Sequence, residues 1–212
     1  MRSFLLILSL LIGSWALAQK RFSEGVISFQ VETEVNGVKD DLSLNGVCFF
    51  KGAHYRSNLT SNRGTSSTIF DTREGMGAVF HEFGSQKVMI HLNRDQWTDK
   101  NRLLKSKELV FSFTSDTTQL LGYNCQKAIA LLEDSSQVEI MFTKEIVPEN
   151  TDAEWQFQQL EGLVLLVKMV KKEATVVFKA SALSFDPVPI QKFDIPNAGY
   201  RILDYGESKK WK

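Results

Sequence analysis

Residues 26–35 read VISFQVETEV, and this stretch decides the fold. Apolar Ile27, Phe29 and Val31 alternate with polar residues along it. Successive side chains of a strand point to opposite faces of a sheet, so a period of two predicts a strand with one buried face. Such alternation is typical of antiparallel sheets, in which the second face meets water.

The same period recurs along the chain at short intervals, separated by turn-forming pairs such as Asn36-Gly37 and Gly84-Ser85. Regularly spaced short strands between turn signals are typical of an all-β sheet protein. The sequence therefore predicts a mainly β (α+β) meander of about ten strands. Besides 26–35, these are residues 47–51, 54–60, 66–71, 78–82, 87–92, 109–114, 123–132, 138–143, 163–170 and 174–185.

Two segments interrupt the strand pattern with helical spacing. Residues 93–107 begin with a capping asparagine, and residues 151–154 (TDAE) form a capping box ahead of Phe157 and Leu160. Both segments are short and amphipathic, which predicts two short helices lying against one face of the sheet.

The N-terminus has the three regions of a secretory signal. Arg2 precedes an apolar run at residues 4–12, and Ala16-Leu17-Ala18 forms the cleavage site. The run is shorter than the roughly 20 residues needed to span a bilayer. We expect residues 1–18 to be a signal peptide cleaved after Ala18, residues 19–212 to form a single β-rich domain without a transmembrane anchor, and the protein to be periplasmic or secreted.

Charge and motifs exclude several functional classes at this stage. The chain carries 25 basic and 25 acidic residues, a balance that argues against a nucleic-acid partner. Its three histidines, His54, His81 and His91, lack metal-site spacing, and neither a serine nucleophile elbow nor a phosphate-binding loop occurs. We therefore expect no cofactor, no metal and no enzymatic activity.

Cys48 and Cys125 both lie in predicted strands. An oxidising compartment permits a disulfide between them, whereas the alternative is two small buried thiols in the core. The sequence leaves both alternatives open, because it does not place the two strands side by side.

Two motifs carry a family resemblance. Residues 121–128 (LGYNCQKA) resemble the L-G-Y-x-C-x-K-A segment of the GLPGLI family of exported Bacteroidota proteins of unknown function. Residues 155–164 (WQFQQLEGLV) are similar to its W-x-F-x-G-L-P-G-L-I segment, with Gln159 and Glu161 in place of a glycine and the proline, which favours a sister branch. With further matches in order along the chain, the resemblance covers residues 24–203.

The resemblance implies a curved antiparallel sheet, or open half-barrel, with its helices against the concave face, as in the periplasmic lipoprotein carrier LolA. It implies no catalytic residues. In such a fold the concave face would line a pocket for an apolar ligand, with Trp155 and Phe157 as a lid and Arg56 as a polar contact at the rim. The predicted lining residues are Phe29, Val31, Phe111, Phe113, Ile140, Phe142, Leu163 and Leu165.

Two functions follow from these expectations. The first is an exported binding or carrier protein for a lipid or a lipoprotein acyl group. The second is a structural or interaction module of the cell envelope with a filled core and an envelope protein as partner. Asp116-Thr117-Thr118 fits the Asp-Thr-x acceptor pattern of O-glycosylation in Bacteroidota and lies in a predicted polar loop after Thr114, which makes Thr117 a candidate glycosylation site.

Overall fold

The computed structural model describes residues 19–41, 43–102, 109–134, 136–154 and 156–210. The predicted signal peptide and the predicted lid residue Trp155 lie outside the described residues. The described residues form mainly β-strands, as the sequence predicts.

The strands predicted at 123–132 and 174–185 each end one residue earlier in the structure, and the strand predicted at 109–114 covers 112–120 instead. The observed strands are more numerous than the sequence indicates, and most are longer. In chain order they are β1 Lys20–Phe22, β2 Glu24–Val35, β3 Val38–Lys39, β4 Asn45–Lys51, β5 His54–Ser61, β6 Gly64–Asp71, β7 Met76–Phe83, β8 Gln86–Asn93, β9 Ser112–Leu120, β10 Tyr123–Leu131, β11 Gln137–Thr143, β12 Ile146–Pro148, β13 Leu163–Lys171, β14 Ala174–Ser184 and β15 Arg201–Leu203.

One sheet of thirteen strands contains most of them, in the order β15-β8-β7-β6-β5-β4-β2-β14-β13-β11-β10-β9, with β3 paired to β2. All neighbours are antiparallel except β15 and β8, which run parallel. The sheet is curved and unclosed, which confirms the predicted open half-barrel. The pairing of β2 with β14 brings the two halves of the chain together at the centre of the sheet.

Two short α-helices lie wholly within the described residues. Helix α1, Arg94–Lys100, has a complete capping box in which Asn93 and Gln96 exchange side-chain and backbone hydrogen bonds. Helix α2, Tyr205–Ser208, follows β15 near the C-terminus. The predicted start of the first helix is confirmed, but the helix ends at Lys100, and residues 103–107 of that prediction lie outside the described residues.

The second helix is not where the sequence predicts it. Residues 151–154 and 156–162 form turns, in which Leu160 N–H donates to the Phe157 carbonyl instead of making the longer helical bond. The Glu154 side chain, expected to cap a helix, accepts hydrogen bonds from Ser57 and Lys100 instead. Contacts with the sheet therefore override the local capping signal, which is a weak preference by comparison.

Buried apolar side chains form three clusters. The first lies under α1 and joins β2, β4, β5, β6 and β14 through residues such as Phe29, Tyr55, Phe70 and Trp97. The second fills the space between β10, β11, β13 and the turns that contain Phe157. The third includes Phe80, Met89, Val188 and Phe193 and joins the C-terminal segment to β6, β7 and β8.

Candidate functional site on the concave face

Helix α1 is fixed across the concave face by one tryptophan. The Trp97 ring stacks on Phe70 with centroids 4.2 Å apart and planes 9° from parallel, and its edge faces Tyr55 at 6.4 Å. Stacked aromatic pairs with this much buried area anchor a short helix that would not be stable alone. The anchoring positions Lys100, the last residue of α1, to pair with Glu154.

A cavity of about 650 Å³ opens on one side of α1. Its apolar surface comes from Leu132, Met169, Ala174 and Val176, at the ends of β10, β13 and β14. Its size falls within the range usual for small-molecule sites, roughly 300 to 1,000 Å³. The polar lining residues are Asp99, Lys100, Asn101, Arg102, Asp134, Ser136, Lys171, Tyr205 and Lys209.

Ion pairs organise the rim of this larger cavity. Lys171 Nζ lies 2.6 Å from Asp134 Oδ2, and this hydrogen bond lowers the pKa of the Asp134 carboxyl to about 2. Lys209 Nζ lies 2.5 Å from Asp99 Oδ2, which also accepts a 2.8 Å hydrogen bond from the Tyr205 hydroxyl. Helix α2 and the residue that follows it thus form one wall of the cavity.

A smaller cavity of about 240 Å³ lies on the other side of Lys100. Phe29, Val79 and Phe178 supply apolar surface, and Ser57 and Thr68 are among its polar lining residues. Phe178 and Val176 occupy alternate positions of β14, so the two cavities share one face of that strand. Lys100 lines both cavities and separates them.

A polar network occupies the wall between α1 and the sheet. Glu154 forms an ion pair with Lys100 and accepts hydrogen bonds from Ser57 Oγ at 3.0 Å and from the Tyr55 hydroxyl at 3.4 Å. The Tyr55 oxygen is also 3.6 Å from the sulfur of Cys48. Burial raises the pKa of Tyr55 well above its usual value, so this phenol stays protonated and keeps donating.

His81 lines the smaller cavity on β7. Burial, and then the nearby charge of Lys100, lower the pKa of this imidazole. The group is therefore neutral at physiological pH and adds no positive charge to the cavity.

The structure separates the predicted lining residues into different environments. Phe29 lines the smaller cavity, and Val31 is buried beside it in the first cluster. The remaining buried members belong to solid core, with Leu163 and Leu165 in the first cluster. The members in the second cluster are Phe111, Ile140, Phe142 and the predicted lid residue Phe157.

Two further predicted site residues do not line either cavity, although Arg56 Nε donates to Asn58 Oδ1 and Asn58 lines the smaller one. Phe113, in edge strand β9, is 54% exposed. Arg56 donates from Nη1 to the Lys192 carbonyl at 2.8 Å, so its guanidinium holds the C-terminal segment against β5. Neither residue lines the larger or the smaller cavity.

The sequence allows two covalent features, a disulfide between Cys48 and Cys125 and a glycan on Thr117. Cys48 and Cys125 are separate, buried free thiols, so the structure has the second of the two arrangements that the sequence left open. Thr117 lies exposed in β9 and not in the expected loop, because residues 112–120 pair with β10. Its glycosylation stays a prediction.

Several residues of the cavity walls are absent from the sequence prediction. Lys100, Met169, Val176 and Tyr205 come from four separate elements, and only tertiary packing brings them together. The alternation of Val176 and Phe178 in 174–185 was a usable signal, since it places both residues on one face. Nothing local marks Tyr205 as a cavity residue.

Within the described residues, no group of three or more His, Cys, Asp or Glu side chains is arranged to hold a metal ion. Among the helices in the described part of the chain, none is long and apolar enough to cross a membrane.

The fold and its cavities define an open, curved β-sheet protein with a covered concave face. No protein-family model and no curated protein sequence matches the chain. Among solved structures, PNGF-II aligns with a TM-score of 0.51 and 16% identity over 89% of this chain and 33% of that one. The chain therefore spans about a third of the length of PNGF-II, and the likeness concerns the fold alone.

Two further solved structures are similar at lower scores. MucB aligns with a TM-score of 0.45 and 11% identity, over 85% of this chain and 60% of that one. A DUF1329 family protein from Desulfovibrio piger aligns with a TM-score of 0.41 and 9% identity, over 84% of this chain and 91% of that one. The resemblance to the GLPGLI family rests on the sequence motifs alone.

Proposed function

We propose that the protein is a non-catalytic binding or carrier protein of the cell envelope that holds an apolar or acyl ligand on its concave face. The larger cavity is the observation that carries this proposal. It has the volume of a small-molecule site, an apolar surface at the ends of three strands and a polar rim. The expected export of the chain supports an envelope role.

The energetics of an acyl chain fit a cavity of this kind. Each buried methylene contributes about 0.8 kcal/mol, so ten of them supply about 8 kcal/mol before the cost of association. That gross contribution corresponds to roughly micromolar affinity. The smaller cavity, at about 240 Å³, lies below the roughly 300 to 1,000 Å³ usual for small-molecule sites and suits such a ligand less well.

The test fills the larger cavity without changing the opposite face of the same strand. Val176 lines the cavity and pairs with Met169, whereas its neighbour Val177 pairs with Lys168 and points to the other side of β14. We expect saturable uptake of the neutral fluorophore Nile red by the wild-type protein. Val176→Trp should abolish most of this uptake, and the matched control Val177→Trp should retain it.

The second candidate is a structural or interaction module of the envelope. The burial of Phe111, Ile140, Phe142 and Phe157 in solid core favours it, because these residues were expected to line a pocket. Wild-type protein without saturable Nile red uptake, together with a Val176→Trp effect confined to the melting temperature, would support this candidate and exclude the carrier.

A further inference from the structure

We propose that the ligand of the larger cavity is an anionic amphiphile, whose carboxylate or phosphate head binds at the rim beside Arg102 while its tail lies on the apolar surface. The inference rests on the proposed function, because it assigns the chemical class of ligand to the same cavity. It comes from the distribution of charge around the cavity.

The described residues at the rim carry more positive than negative charge. Four basic side chains and two carboxylates line the cavity there. The basic ones are Lys100, Arg102, Lys171 and Lys209, and the acidic ones are Asp99 and Asp134.

Three of the four cations already have a partner. Lys171 is paired with Asp134, and Lys209 is paired with Asp99. Lys100 is paired with Glu154, whose carboxylate lines the smaller cavity. The two carboxylates of the larger cavity are therefore each occupied by a lysine.

Arg102 is the remaining cation. It follows α1, is exposed, and forms no ion pair within 4.0 Å among the residues that the structure describes, although Lys209, Tyr205 and then its own charge lower the pKa of the nearby Asp99 carboxyl. A guanidinium presents a planar fork of N–H donors that matches a carboxylate or phosphate in two parallel hydrogen bonds. The cavity thus offers an anion-binding group beside an apolar surface.

The same arrangement disfavours other head groups. A cationic head would meet the Arg102 charge without a free carboxylate to offset it, since Asp99 and Asp134 are already paired. A neutral hydroxyl head would gain only a weaker, uncharged acceptor bond. Selectivity by head-group charge is therefore the property that separates this inference from simple apolar binding.

The experiment compares ligands with one tail and different heads by isothermal titration calorimetry. Dodecanoate, dodecyl phosphate, dodecanol and dodecyltrimethylammonium are each titrated below their critical micelle concentrations. We expect at least one of the two anions to bind about tenfold or more tightly than the alcohol and the cation. Preference for dodecanoate would indicate a fatty-acid head, and preference for dodecyl phosphate a phospholipid-type head.

Two variants then locate the anion. Arg102→Gln should reduce the affinity for the preferred anion about tenfold and leave the affinity for dodecanol unchanged. The control Arg63→Gln changes an exposed arginine in the turn between β5 and β6, away from the cavity, and should change neither affinity.

The outcomes separate the two proposals. Equal binding of all four ligands, or an Arg102→Gln protein that binds the anion like wild type, would overturn the head-group inference and leave the apolar carrier in place. An absence of binding by all four ligands would overturn both.

Discussion

Lys100 and Glu154 form an ion pair that joins the end of α1 to the turn at residues 151–154, and Lys100 lies in the walls of both cavities. The Lys100 side chain is 31% exposed and that of Glu154 is 11% exposed, so the pair is partly shielded from water. Ser57 and Tyr55 occupy further acceptor capacity of the carboxylate. The pair therefore fixes where the two cavities are separated.

Glu154→Gln should destabilise the protein by about 1–3 kcal/mol, because it removes charge-assisted hydrogen bonds and leaves Lys100 without its partner. Urea denaturation followed by fluorescence measures the free energy of unfolding. Glu149→Gln is the control, since its pair with Arg21 is exposed and should contribute less than about 1 kcal/mol. Equal losses in the two variants would contradict a special role for Glu154.

Phe111→Ala should cost about 3–5 kcal/mol, because Phe111 is only 9% exposed and meets the Phe157 ring edge to face at 5.3 Å. Phe113→Ala, two residues away in an exposed position, should cost less than about 1 kcal/mol. Thermal and urea unfolding of both variants tests the difference. A small loss for Phe111→Ala accompanied by weaker ligand binding would instead place this residue in a ligand site.

Both cysteines should be unreactive in the folded protein. Burial raises the pKa of Cys48 to about 12 and that of Cys125 to about 11, so both remain protonated thiols at pH 8 and are poor nucleophiles. We expect negligible reaction with Ellman's reagent before unfolding and two thiols per chain after unfolding without reductant. Recovery of no thiols after unfolding would demonstrate a disulfide.

The Cys48 thiol should also make stability fall in alkaline solution. Between its ordinary pKa near 9 and its folded value of about 12, the unfolded chain releases the proton and the folded chain keeps it. The unfolded state then binds fewer protons, so the free energy of unfolding decreases as the pH rises through this window. Cys48→Ala should show a shallower decrease between pH 9 and pH 11, and an unchanged slope would count against this assignment.

Export with cleavage after Ala18 predicts a mature chain that begins at Gln19. Intact-mass spectrometry of protein recovered from the periplasm or the medium measures this directly. Replacing Ala16 and Ala18 by bulky residues should block processing, because the cleavage site requires small side chains. Full-length chain recovered from membranes of wild-type cells would contradict the prediction.

The sequence by itself determined the class of the fold and where most of its strands lie along the chain. The alternation of Ile27, Phe29 and Val31 is a local property, since adjacent strand residues necessarily point to opposite faces. The cap of α1 is also a local feature. The side chains of Asn93 and Gln96 each accept a hydrogen bond from the backbone N–H of the other residue within one turn. Such features need no knowledge of distant residues.

The segment around Glu154 shows where local signals fail. Residues 151–154 do match the sequence pattern of a capping box. The Glu154 carboxylate is nevertheless stabilised more by hydrogen bonds from Lys100 and Ser57, which are 54 and 97 residues away in sequence. The turns that replace the predicted helix place Phe157 and Leu160 in the second core cluster. Long-range burial therefore decided this conformation.

The candidate site was decided by tertiary structure alone. Its walls combine α1, the β13–β14 hairpin and α2, and no pattern within one of these segments specifies how they meet. The sequence determined which residues are apolar and which face of each strand they occupy. Only the packing of α1 and α2 over the curved sheet decided that Phe111 and Phe142 would lie in the packed core, while Met169 and Val176 would face an open cavity. Whether a side chain meets other atoms or an empty space depends on the shapes of all the elements around it.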